Sequence, residues 1–381
     1  MTTKFLSTIA LILLLVTLGM ILMLYVVPTF LPYPMDDSQI FTPTEPVSQT
    51  EPPTQPQIQT EPPTQPPTQP PAEEFVLSFA GDCCLANLKG WSEDRYFIGT
   101  IGDNYAYPFA SVQEYFAADD CTFINLECVF TDSTRAVNKD FVFKGPTTYT
   151  RILTEGSVEF ANIANNHTQD YGQTGYEDTA AALDEAGISY AHARETRIIT
   201  TPSGLTIGVY ADTYPKDTDG LKEKIEAMRA EGAELIIAVM HWGKEYYYVP
   251  NEKQIELGHA AIDAGADIVY GTHPHVLQPI EEYKGKYIYY SLANFSFGGN
   301  TNPTDKDTAI IQQKIIRESD GTIILGDLTI IPCSVSSRSD RNDFQPTPLE
   351  PGSEAYNRVL SKLDGSYDKK KISVNYRPEL G

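Results

Sequence analysis

Seven residues of metal-ligating type recur at one kind of place in this sequence, the polar end of a short apolar run. Phe75–Ala80 leads into Gly81-Asp82, and Cys121–Leu126 leads through Asn125-Leu126 into Glu127. Val158–Ile163 ends in Ala164-Asn165-Asn166-His167, and Leu235–Met240 ends in His241-Trp242-Gly243. Asp267–Tyr270 ends in Gly271-Thr272-His273-Pro274-His275. Carboxylate, amide and imidazole donors in this mix suit Mn, Fe, Zn or a similar divalent ion rather than calcium alone. A lone strand-end histidine is commonly a hydrogen-bonded structural residue, and Asp82 alone fits a helix N-cap. His-x-His differs, because both rings can face one ion from a tight loop. His192, beside a short strand, and His259, inside an amphipathic helix, read as structural.

These residues need a scaffold that brings the five run ends together. Short β-branched and aromatic runs alternate with amphipathic stretches from Phe75 onward, the pattern of an α/β domain. Strands are expected at the five runs above and at Thr206–Ala211 and Lys286–Leu292, with helices at Gly175–Ala186, Leu221–Ala230 and Glu252–Ala264. Asn251 with Gln254 has the form of a capping box for the third helix. In α/β folds, ligands collect at the carboxyl ends of strands, so the candidate residues would share one edge. Beyond Asp307 two strand-like runs flank Asp320-Gly321 as a hairpin, and Glu354–Leu363 reads as a peripheral helix in a polar tail, 337–381.

Charge and composition divide the 381 residues into distinct materials. The net charge is -23, from 28 Lys+Arg against 51 Asp+Glu, which argues against a nucleic-acid partner, since phosphate contacts need a clustered basic surface. Phe5–Val27 is uncharged and apolar, and about 20 such residues cross a bilayer as a helix. The Pro28-Thr29-Phe30 flank is a poor cleavage site, so an uncleaved anchor is expected, with residues 1–4 and their Lys4 in the cytoplasm. Residues 28–74 carry 14 of the 27 prolines, repeat TEPPTQP, and form a stiff Pro/Thr/Gln/Glu-rich linker. Seven acidic residues lie between Asp36 and Glu74 with no basic one, which leaves -17 on residues 75–381. A domain at 75–336 and an extension at 337–381 complete the expected organisation. The five cysteines make no complete disulfide framework and no zinc ribbon; placement outside the cell would allow a bridge such as Cys83–Cys128.

The series GD at 81–82, NLE at 125–127, ANNHTQDYG at 164–172, HWGKEY at 241–246, GADIVYGTHPHVLQPIE at 265–281 and YSLANFSFG at 290–298 resembles the CapA/PgsA family. That family is named for poly-γ-glutamate capsule biosynthesis, and its domain is similar to calcineurin-like metallophosphoesterases. The resemblance spans roughly residues 75–335 and implies a layered β-sandwich flanked by helices. It implies that Asp82, Glu127 (in a bridging position), Asn166, His241, His273 and His275 hold one or two divalent ions. His167 would assist the leaving group. Where the superfamily has Asp-x-His, this chain has Asp82-Cys83-Cys84: either Cys84 replaces that imidazole or one metal site is short of a ligand. Asp170 and Glu245 are candidates to orient imidazoles or bind substrate, and Trp242 to pack; Tyr246, Tyr247 and Tyr248 either wall a pocket or pack.

The implied setting is a single-pass membrane protein whose main domain lies outside the cytoplasm. Its partners would be a surface polymer, poly-γ-glutamate above all, and membrane-bound polymer synthase subunits. A metal-dependent phosphoesterase and a non-catalytic assembly subunit stand as alternatives. The acidic domain would oppose a polyanion at long range, leaving its binding to bound cations and to lysines such as Lys144 or Lys244.

Overall fold

The computed structural model of the chain describes residues 71–368. The apolar stretch 5–27, the linker through residue 70 and residues 369–381 lie outside them. Among the described residues no helix is long and apolar enough to cross a membrane.

Alternation of apolar side chains builds the core. Along Glu73–Cys84, the side chains of Phe75, Leu77 and Phe79 enter one buried layer, which also receives Ile207, Val209, Ile237 and Val239 from a second sheet. The alternate residues of that second sheet, among them Ile236, Ala238 and Met240, face the helices Leu221–Ala230 and Glu252–Asp263. On the far side of the first sheet, Ile124 and Ala161 pack with Leu183 of the helix Gly172–Ala186. Two sheets thus enclose one apolar layer, and helices cover both outer faces. This is the layered α/β arrangement expected.

In the first sheet, Glu73–Cys84, Cys121–Leu126, Phe160–Asn162 and Ser189–Ala191 run parallel, while Asp307–Arg317, Ile323–Ser334 and Thr347–Pro348 extend it antiparallel. In the second, Thr206–Thr213, Leu235–His241, Ile268–Thr272 and Lys286–Leu292 run parallel, with Thr196–Thr200 and Leu277–Tyr283 antiparallel at the edges. Cys121–Leu126 and Lys286–Leu292 form over the predicted bounds. Glu73–Cys84 begins two residues early and continues through Cys84, because its later part gains a parallel partner in Asn294–Phe297. Val158–Ile163 contracts to Phe160–Asn162. The predicted hairpin forms around Gly321, whose φ of 86° suits glycine.

Capping follows the sequence. The Asn251 side chain accepts from the Gln254 amide (2.9 Å) while Gln254 Oε1 accepts from the Asn251 amide (3.1 Å). Residues 338–368 contribute to the core: Phe344 is buried, and Glu354–Leu363 places Val359 and Leu363 in the layer between the sheets. All five cysteines are free and buried, so the Cys83–Cys128 bridge is not formed. Cys84 is the thiol whose pKa Cys128 helps to raise, after burial, whereas Cys83 Sγ turns toward the Gly81 carbonyl at 3.7 Å.

Candidate metal centre

The carboxyl ends of the parallel strands of both sheets meet at Gly81. A β-carbon there would come 2.2 Å from the carbonyl oxygen of Ala293, a clash that only glycine avoids. This close approach lets the Asp82 amide donate to that carbonyl at 2.7 Å. Strand pairing is irregular between Phe79 and Asp82, and such a bulge re-aims side chains. Asp82 consequently points toward the second sheet, where the His273 amide lies 3.3 Å from its Oδ2. His273 and His275 both adopt positive φ, 96° and 58°. Non-glycine residues held this way cost about 1–3 kcal/mol each and cluster at functional sites. The strain here serves to turn both imidazoles of His-x-His inward.

A chain of amides holds the carboxylates. Asn162 Nδ2 donates to Asn125 Oδ1 at 2.8 Å, and Asn125 Nδ2 donates to Asp82 Oδ1 at 2.9 Å and Glu127 Oε2 at 3.3 Å. One oxygen of each acid is thereby occupied and the other left facing inward. Glu127 Oε1 lies 3.9 Å from His167 Nε2, 3.9 Å from His241 Nε2 and 3.8 Å from His275 Nε2. Those separations are too long for hydrogen bonds. Glu127 Oε1, His273 Nδ1 and His275 Nδ1 are all buried without a hydrogen-bond partner, although His275 Nδ1 comes within 3.1 Å of Asp82 Oδ2.

Two groups of donors result. Asp82, Glu127 and His275 form one, and Glu127, His241 and His273 the other, the ligand atoms of each lying within 4.8 Å of one another. Glu127 belongs to both. Asn166 Oδ1 sits 3.0 Å from His241 Nε2 and so borders the second group. Buried polar atoms normally have partners, and a divalent ion sits about 2.0–2.2 Å from nitrogen and oxygen donors. Orphaned donors surrounding a gap of this width fit such an ion.

Electrostatics agree with that fit. Burial pushes the Glu127 carboxyl well up and holds His241 well below its usual range. His273 is lowered to about 3, by burial first and by neighbouring imidazoles second. His275 goes the other way, to about 10, because Glu127 and Asp82 outweigh its burial. Without a cation, burial drives Glu127, His241 and His273 toward their neutral forms, while His275 keeps its proton against Asp82 and Glu127; a bound cation inverts this logic.

His167 stands at the side of the cluster with a separate network. Its Nδ1 lies 2.7 Å from Asp170 Oδ2, and the Phe143 ring packs against it, tilted by 53° at 4.7 Å between centroids. Asp170 also accepts from the Phe143 amide at 2.7 Å and from Lys139 Nζ at 3.0 Å. A carboxylate only accepts, so the shorter Asp170 contact favours the His167 proton on Nδ1 over the 3.3 Å approach of Lys139 Nζ to that atom, and Nε2 faces Glu127. Burial lowers the His167 pKa, opposed by Asp170.

Asp82, Glu127, Asn166, His167, His241, His273 and His275 therefore come together, and Asp170 takes the orienting position. Cys84 does not enter either group: burial against Cys128 raises its thiol pKa and makes it a poor ligand. Glu245 approaches from outside, in a third group with His273 and His275. Trp242 packs, 2% exposed, with Nε1 donating to the Tyr290 carbonyl at 3.0 Å. His192 stacks near Tyr176, and His259 lies 2.8 Å from Glu281. Lys144 reaches the Ser133 carbonyl and Lys244 the Tyr247 hydroxyl; the lysine against the cluster is Lys139. Sequence reading missed Lys139, which sits in an irregular loop with no periodic signal. It also missed Tyr214, whose hydroxyl lies 3.2 Å from His273 Nε2. Tyr214 follows the strand Thr206–Thr213 directly, but a tyrosine there carries no ligand character of its own.

Comparisons with known proteins agree with the motif series. The family described as bacterial capsule synthesis protein PGA_cap matches residues 76–299, which include every residue of the cluster. The PGA biosynthesis protein CapA of Bacillus subtilis (strain 168) is 29% identical over 327 residues, 76% of this chain and 83% of the relative. The capsule biosynthesis protein CapA of Bacillus anthracis is 28% identical over 339 residues, 80% of this chain and 79% of the relative. Among solved structures, the NAD nucleotidase of Haemophilus influenzae aligns with a TM-score of 0.40 at 12% identity, over 77% of this chain and 63% of its own. The match extends over more than half of the sequence and over the whole cluster: the chain belongs to the bacterial capsule synthesis protein PGA_cap family.

Proposed function

We propose that this chain is a membrane-anchored, extracytoplasmic member of the family. In this reading it acts in the synthesis, export or attachment of a surface polymer, poly-γ-glutamate, through a divalent-metal centre with hydrolase chemistry. The observation that carries the chemical part is the partnerless Glu127 Oε1, fully buried and shared by two donor groups. The names of the capsule-synthesis relatives support the polymer, and the uncharged stretch Phe5–Val27 followed by a proline-rich linker supports the anchoring.

Asp82, Glu127 and His275 would hold one ion, and Glu127, Asn166, His241 and His273 a second. Bound there, ions of the Mn, Fe or Zn class supply Lewis acidity, polarising a scissile ester oxygen and lowering the pKa of water. The remaining work belongs to the side chains. Asp170 holds the His167 proton on Nδ1, so Nε2 is free to exchange a proton with a reacting oxygen. Lys139 neutralises Asp170 and places positive charge beside the mouth, where an anionic substrate would arrive. Tyr214 fixes the His273 ring.

A cell lacking its own copy, complemented with the full-length gene, tests this reading. Wild type should restore surface polymer, and His273→Ala and His167→Ala should fail to, at equal protein levels in the membrane. Full restoration by both variants would contradict a chemical role for the cluster.

A further inference from the structure

We propose that Glu245 is the outer, solvent-side carboxylate donor of the metal centre, reaching His273 and His275 from a loop. The inference rests on the reading of the cluster as a divalent-ion site. Its ground is the third donor group, in which Glu245, His273 and His275 place ligand atoms within 4.8 Å of one another. Two of those donors are the buried imidazoles whose Nδ1 atoms have no hydrogen-bond partner. Glu245 itself is exposed, so the carboxylate closes the side of the cluster that faces solvent.

The position is built rather than incidental. Upstream, the Trp242 amide donates to the Thr272 carbonyl at 3.1 Å, and downstream the Tyr246 amide donates to the Pro274 carbonyl at 2.8 Å. Both anchors tie the loop to the His273-Pro274-His275 segment. Gly243 makes the turn with φ of 83°, where a β-carbon would meet the Gln254 amide group at 2.7 Å. Tyr248, on the same loop, is braced by Lys362, whose Nζ lies 4.9 Å from its ring centroid. An exposed carboxylate arm between two fixed points can bind an ion and still yield its place to an incoming ligand, which the buried Glu127 cannot do. Glu245 thereby sets how readily the outer coordination position opens.

The test is calorimetric titration of full-length protein in detergent, stripped with chelator, with Mn²⁺ alone and with Zn²⁺ alone. Glu245→Gln should melt with wild type in chelator yet bind ion about 10–100-fold more weakly, and Glu245→Asp should recover much of the affinity. Replacement by Co²⁺ gives a second readout, a visible spectrum that differs between wild type and Glu245→Gln. Identical isotherms and spectra for wild type and Glu245→Gln would overturn the assignment while leaving the cluster a metal site. No binding by wild type would overturn both.

Discussion

Glu127 and His275 face each other across 3.8 Å, from Oε1 to Nε2, both buried and with no hydrogen bond at that oxygen. Burying a carboxylate without a partner is costly, and here the shortfall is shared with His273 and His275. A second donor could have been placed at Oε1, as the Asn125 amide is at Oε2. Instead Asn125 occupies only Oε2, and the free oxygen points where three imidazoles converge. That is the arrangement expected of a protein that leaves coordination sites for a cation.

The His167–Asp170 pair gives a first prediction. Asp170→Asn cannot accept from Lys139, His167 and the Phe143 amide at once, and an amide nitrogen facing His167 moves the ring proton to Nε2. Nitrogen NMR of the ring should read Nδ1–H in wild type and Nε2–H in the variant. Surface polymer restored by the variant in a complemented cell should fall well below wild type, with ion content unchanged. An unchanged tautomer would show that Asp170 does not orient the ring.

A second prediction concerns stability and pH at Asp119, outside the centre. Its Oδ2 accepts from Thr122 Oγ1 at 2.7 Å while its Oδ1 is buried without a partner. Burial pushes this carboxyl up to about 7 from an ordinary 3.8, against hydrogen bonds from Ser78 and Thr122. The folded state therefore holds the proton more tightly than the unfolded state. Its contribution is fully present below pH 4 and is lost as pH rises to about 7. Asp119→Asn should match wild type near pH 4 and exceed it by about 1–3 kcal/mol at pH 8. Urea denaturation at the two pH values measures this; a difference independent of pH would contradict it.

The C-terminal helix supplies a third. Lys362, 4% exposed, bonds Asp305 at 2.6 Å and Asp307 at 2.8 Å, and Asp307 is also held by Arg358. Lys362→Met keeps the packing but strips one cation from two acids, for which breaking a buried pair costs about 3–5 kcal/mol. Because Arg358 remains, the expected loss is about 2–3 kcal/mol in urea denaturation. A loss below half a kcal/mol would mean the helix is peripheral, as its sequence alone implied.

The positions of the strands and the donors at their ends were legible because parallel strands are near-continuous apolar runs and their polar termini stand out. His273-Pro274-His275 and Asn251/Gln254 carried their meaning in spacing alone. Cys84 was not legible: its strand continues through a bulge, so a thiol two residues past Asp82 meets Cys128 rather than the cluster. Lys139 lies on an irregular loop, where periodicity says nothing about direction; Glu245, on another, stood out only through the HWGKEY block. Tyr214 was missed for a narrower reason, that a tyrosine after a strand has no ligand character until His273 is seen beside it. Glu354–Leu363 looked detached because its apolar stripe is thin, yet two buried residues and one buried ion pair dock it.

The metal content of the full-length protein tests the central claim most directly. Purified wild type should retain divalent metal by inductively coupled plasma mass spectrometry, and after chelation it should gain thermal stability on adding Mn²⁺ or Zn²⁺. Glu127→Gln should lose both the metal and that gain, yet in chelator melt no lower than wild type, because burial already pushes this carboxyl toward its neutral form and the Gln amide is an uncharged group of the same shape. Wild type without metal and without a metal-dependent shift, or Glu127→Gln with wild-type metal content, would contradict the account.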